Sequence, residues 1–250
     1  MQPVKIRNAK AARRLLKRQE LIKRSTMILP HLFTLGNAFF GFCSLIFAAR
    51  GEWISASYLV LIAALMDMLD GRIARLVGAT SAIGTQLDSL SDAISFCLAP
   101  AFLAYVWHLK KMGPLGIIVS AVFFLAGLLR LARFNVIHAQ SVNSILGLPS
   151  TIAGCFLVAL LLNTELFFTS YIPALFLAFL MVALAFLMLS MIPFPTFKQK
   201  LVGRRHQWRL IFVAAGFALM AAFALRFALF LFFLGYILFA LSAQVRNRFL

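Results

Sequence analysis

Eight apolar runs, most of them long enough to cross a bilayer, dominate this chain and leave it few folds to choose from. They fall at about 29–49, 53–75, 82–107, 114–134, 148–168, 172–192, 208–225 and 227–245. In lipid, backbone polar groups must find partners within the chain, so runs of this length predict helices. Composition agrees: 63% of the residues are hydrophobic, against roughly 45–50% in soluble domains. The expectation is an all-α integral membrane protein with about eight transmembrane helices. Arg226 alone parts the short seventh run from the eighth, which points to a tight helical hairpin.

The formal charge of +17 would suit a nucleic-acid partner in a soluble protein, but the apolar runs argue against one. Topology explains the charge better. Residues 1–24 carry nine Lys/Arg and one acid, Glu20. Within them Ala11, Ala12, Leu15, Leu16 and Ile22 recur at helical spacing, with Lys10, Arg13, Arg14, Lys17 and Arg18 largely opposite. This predicts a basic amphipathic juxtamembrane helix over residues 1–26, lying on anionic membrane lipids. A long basic leader before a run of spanning length also argues against a cleaved signal peptide. Eight spans put both termini on one side, together with Arg72, Arg75, Arg130, Arg133, Lys198, Lys200, Arg204, Arg205, Arg209, Arg246 and Arg248. That side holds twenty of the 24 basic residues, and Arg50, Lys110, Lys111 and Arg226 face the other. The bias predicts cytoplasmic termini. Cys43, Cys97 and Cys155 sit singly in apolar runs and read as structural thiols, and the four histidines show no ligand spacing.

Four of the seven acidic residues, Asp67, Asp70, Asp88 and Asp92, lie in one stretch of 26 residues. The first two are three apart near the end of the second run. The other two are four apart near the start of the third. Each pair shares a helix face, about 4.5 and 6 Å apart along the axis. The segment LVGATS (76–81) can turn between the runs, so an antiparallel hairpin would point all four carboxylates into one cavity just below the cytoplasmic surface. A carboxylate inside the bilayer costs about 2.5–3.5 kcal/mol, so four unpaired ones cost on the order of 10 kcal/mol. Arg72 and Arg75 offset part of this. One or two Mg²⁺ or Mn²⁺ ions would offset more, since carboxylate oxygen is their preferred ligand. Gly71 and Gly84 lie between the two aspartate pairs and permit either a bulky ligand or close helix packing.

The spacing D-x2-D-G-x2-A-R-x8-G-x3-D-x3-D is met in full by Asp67, Asp70, Gly71, Ala74, Arg75, Gly84, Asp88 and Asp92. In this the chain resembles the CDP-alcohol phosphotransferase family of membrane enzymes. The resemblance covers about residues 27–200, a six-helix core, and leaves 201–250 as an added helix pair. It implies a dimetal site built by the four aspartates, cytidine diphosphate held over Gly71 and Gly84, and Arg75 near the diphosphate. It also implies Asp92 as general base and a homodimer; with the charge bias, the expected setting is a bacterial inner membrane with the active site facing the cytoplasm. Intramembrane prenyltransferases lack this Gly-Ala-Arg-Gly framework. Ion or metal transporters more often place their acids at the midplane.

Other stretches bear on the acceptor. LFTLGNAFFGF (Leu32–Phe42), LLRLARFN (Leu128–Asn135), GLPS (Gly147–Ser150) and PFPTFK (Pro193–Lys198) resemble segments of the phosphatidylserine synthases within that family. The substrates so implied are CDP-diacylglycerol and L-serine. Thr151-Ile152, where Pro-Ala is common, and Thr196, where Ser is usual, depart from the pattern. Other acceptors in the family are glycerol phosphate, inositol phosphate and choline. Arg130 and Arg133 are costly in a span and suit a carboxylate through a bidentate fork, or snorkel to the headgroups. Thr34 and Asn37 on the first span either hydrogen-bond the nucleotide or bridge helices.

Overall fold

The computed structural model describes residues 31–77, 82–139, 145–167, 173–194 and 229–239. Among them the chain is helical apart from one pair of two-residue strands. Helix α1 spans His31–Ala49 and α2 Trp53–Val77. The third run holds α3 (Ala82–Asp92), a π-helical turn (Ala93–Leu98) and α4 (Ala99–Trp107). A 3-10 turn, Leu109–Met112, leads to α5, Pro114–Ala139. Then come β1 (Ile145–Leu146), α6 (Ser150–Phe167), α7 (Ala174–Leu189), β2 (Pro193–Phe194) and α8 (Leu229–Phe239). Among the described residues four stretches are long and apolar enough to cross a membrane: His31–Ala49, Trp53–Ala74, Ile83–Trp107 and Pro114–Val136. The shorter apolar helices match the fifth, sixth and eighth runs. The seventh run and the basic leader lie outside the described residues.

The helices are apolar on nearly every side, and packing decides which side is inward. Helix α6 is central: Cys155, Phe156, Leu157, Val158, Ala159, Leu161 and Leu162 are all buried. Helix α5 packs on α7 and turns Leu115, Ile118, Val122, Leu125 and Leu129 outward, a face suited to lipid. Trp53 and Trp107 stack at 5.4 Å at one end of the bundle, near Arg50, Lys110 and Lys111, where an aromatic belt is expected. Asp70 lies 17 residues further along α2, about 25 Å away. The carboxylates therefore occupy the opposite end.

The run expected as one helix over 82–107 contains the π turn, and Pro100 supplies a reason. A proline cannot donate to the carbonyl four residues back, here Phe96, and its ring crowds that carbonyl. Ala99 instead donates to Ile94, five residues back. The widened turn meets a glycine on each of three helices: Gly41 of α1 faces Ser95, Gly127 of α5 faces Cys97, and Gly154 of α6 faces Phe96. Ser95 Oγ also donates to the Asn37 carbonyl at 2.9 Å. The turn thus holds α1, α5 and α6 together one residue beyond Asp92.

Candidate active site

Helices α2 and α3 bring Asp67, Asp70 and Asp88 together. Each offers a carboxylate oxygen, and the three oxygens lie within 4.8 Å of one another. Asp70 is buried, and Asp67 and Asp88 are half-buried. The strongest charged neighbours of Asp67 are Asp88 and Asp70, and that of Asp88 is Asp70. At an effective dielectric constant of about 20, each such pair of charges repels by roughly 3–4 kcal/mol. Asp70 Oδ2 and Asp88 Oδ1 are buried without a hydrogen-bond partner among the described residues. Unpartnered carboxylate oxygens pooled this way are a donor set for a hard divalent cation. Oxygens around one six-coordinate Mg²⁺ lie about 3–4 Å apart, so a small closure would let these three share an ion.

Asp92 stands one turn further along α3, outside that trio and almost fully buried. Asp67 and Asp88 are within its electrostatic reach, and so is Arg130 from α5. Asn37 Nδ2 donates to Asp92 Oδ1 at 3.2 Å, and the Thr34 hydroxyl donates to Asp70. Thr34 and Asn37 are three apart on α1 and share a face. Their contacts join α1 to Asp70 of α2 and Asp92 of α3. Gly71 follows Asp70, and a Cβ there would meet nothing within 4 Å among the described residues. Among the described residues, then, no neighbouring helix crowds this glycine. Gly84 lies half-buried on α3. Arg75 belongs to α2, with its side chain outside the described set, and Arg72 is exposed.

The two arginines of α5 part company. Arg133 Nη1 donates to the Leu189 carbonyl at 2.9 Å, and Nη2 to those of Met188 and Ser190 at 3.2 and 3.1 Å. It caps the C-terminus of α7, where a cation is favoured. Arg130 is 6% exposed. Its Nη1 donates to Ser150 Oγ at 3.2 Å, and Phe134 covers its guanidinium at 5.2 Å. Ser150 was visible in the sequence as part of GLPS, but nothing there paired it with an arginine 20 residues away. Ser89 and Asn135 were not singled out either. They are joined at 3.0 Å between α3 and α5, with Gln86 beside them.

A family model, that of the CDP-alcohol phosphatidyltransferases, matches residues 27–191. Among curated proteins the chain is 38% identical over 175 residues to the CDP-diacylglycerol–serine O-phosphatidyltransferase of Helicobacter pylori, covering 69% of this chain and 73% of that one. It is 36% identical over 173 residues to the archaetidylserine synthase of Methanothermobacter thermautotrophicus, covering 68% and 71%. With the CDP-diacylglycerol–serine O-phosphatidyltransferase of Bacillus subtilis it shares 33% identity over 171 residues, covering 68% and 92%.

Proposed function

Because this chain belongs to the CDP-alcohol phosphatidyltransferase family, we infer that it transfers the phosphatidyl group of CDP-diacylglycerol to L-serine, giving phosphatidylserine and CMP. The observation that carries the reading is the pooling of Asp67, Asp70 and Asp88 beside buried Asp92, within a motif spacing met at every fixed position. The names of the relatives at 33–38% identity support serine as acceptor.

The serine hydroxyl oxygen attacks the lipid-linked phosphorus, the bond from phosphorus to the CMP oxygen breaks, and CMP leaves. Asp92 accepts the hydroxyl proton, and Asn37 holds one of its oxygens in place. Asp67, Asp70, Asp88 and Asp92 would hold two divalent ions, Mg²⁺ or Mn²⁺, which would neutralise the charge of the diphosphate. The nucleotide lies over Gly71 and Gly84, with Arg75 near its diphosphate, and no described residue crowds Gly71. Thr34 fixes Asp70 within that floor. Arg130 receives the serine carboxylate, and Arg133 secures the wall behind it.

The same reading gives the whole chain eight transmembrane helices: a six-helix core over 27–200 and an added pair over 201–250. The basic segment 1–26 lies on anionic lipids, and the twenty-to-four distribution of basic residues favours both termini and the pocket on the cytoplasmic side of a bacterial inner membrane. A homodimer is the assembly we propose. An acceptor screen with purified protein and labelled CDP-diacylglycerol tests the chemistry. Serine should release CMP faster than ethanolamine, which lacks the carboxylate, and EDTA should abolish turnover until Mg²⁺ or Mn²⁺ is restored. Faster release with glycerol 3-phosphate or choline would remove serine, and full activity in chelator would remove the metal.

A further inference from the structure

Arg133, Gly147 and Pro193–Phe194 are far apart in sequence and meet at one joint. The Gly147 N–H donates to the Ile192 carbonyl at 2.9 Å, and β1 pairs antiparallel with β2. Gly147 has φ +81, and a Cβ there would lie 2.7 Å from Arg133 Nη2 as well as against the α7 carbonyls. Left-handed backbone and lack of space together call for glycine. The turn so wedged delivers Ser150, fully buried, to the start of α6.

Ser150 Oγ takes Nη1 of Arg130, and the Phe134 ring lies under the guanidinium. Arg130 Nε is buried and has no hydrogen-bond partner among the described residues. With Nη1 engaged, the edge left over is Nε with Nη2, a side-on fork that matches a carboxylate. We propose that Ser150 is a positioning residue for acceptor recognition: its hydroxyl rotates Arg130 so that this edge, rather than the guanidinium tip, meets the acceptor carboxylate. The proposal rests on serine being the acceptor. It gives the Gly147 turn a purpose, since the turn sets where the Ser150 hydroxyl stands.

Steady-state kinetics on the full chain, with CDP-diacylglycerol and Mn²⁺, tests it. Serine and the lipid are varied in turn for the parent, Ser150→Ala, Ser150→Cys and Ser150→Thr. Loss of a hydrogen bond to a charged group should raise the serine KM about tenfold in the Ala and Cys variants. The lipid KM should stay within about twofold, and Thr, which keeps the hydroxyl, should restore the serine KM. Cys preserves volume, so it decides the matter if Ala does not fold. An unchanged serine KM, or equal rises in both KM values, overturns the role of Ser150 alone. A parent enzyme that releases no CMP with serine overturns the acceptor reading beneath it.

Discussion

Two aspartates of the same motif should fail in different ways. Asp92 is nearly buried and takes a hydrogen bond from Asn37, whereas Asp67 belongs to the trio of closely spaced carboxylates. Asp92→Asn keeps the shape and removes the base, so kcat should fall about 10²–10⁴-fold while CDP-lipid binding stays measurable. Asp67→Asn should shift the metal requirement to higher concentration, and excess Mn²⁺ should recover part of the rate. Full rescue of both variants by metal would leave Asp92 a metal ligand alone and remove it as the base. The aspartates stood out in the sequence because charge inside an apolar run is costly. Their hydrogen-bond partners did not. Asn37 reaches Asp92 across 55 positions, and Ser150 reaches Arg130 from another helix. Such pairs exist only once the helices have packed. Arg133 was equally costly in the sequence, and its cost is met by carbonyls of α7 that no spacing could reveal.

Glycines at different places in the helices should also answer differently to alanine. In Gly154→Ala the new methyl lies 3.0 Å from the Phe96 Cα and closer still to its carbonyl, backbone atoms that cannot swing aside. Overpacking of this kind costs about 1–3 kcal/mol, so the thermal midpoint in detergent should drop. Gly71→Ala meets no described residue and gains helix propensity, up to about 1 kcal/mol, so its midpoint should hold or rise. Its CDP-induced stabilisation should be lost if the nucleotide lies there. A CDP response equal to the parent's would remove the nucleotide from this glycine. The long helices were legible because length and apolarity suffice to place a span. The π turn was written less plainly. Pro100 passed unremarked inside its run, and the choice of a widened turn over a kink depends on Gly41, Gly127 and Gly154 standing opposite. The β1–β2 pair, two residues a side, is too short for any periodic signal.

At the scale of the whole molecule the basic residues predict sidedness. Single cysteines placed at Lys110 and at Arg204 of a cysteine-free variant should label from opposite faces of sealed vesicles, with Arg204 on the cytoplasmic one. Labelling of both from the same face would break the eight-span arrangement. The aspartate cluster and its partners come from α1, α2, α3 and α5, and this bears on how the protein is made. A nascent chain that has emerged as far as α4 already holds four carboxylates, with Thr34 and Asn37 to bond two of them. Its buried counter-charge, Arg130, comes only with α5, and the Ser150 that holds it comes later still. The α2–α3 hairpin is therefore a poor passenger for the lipid on its own. With its buried counter-charge still to come, that hairpin has reason to keep its carboxylates in contact with water until α5 packs against it.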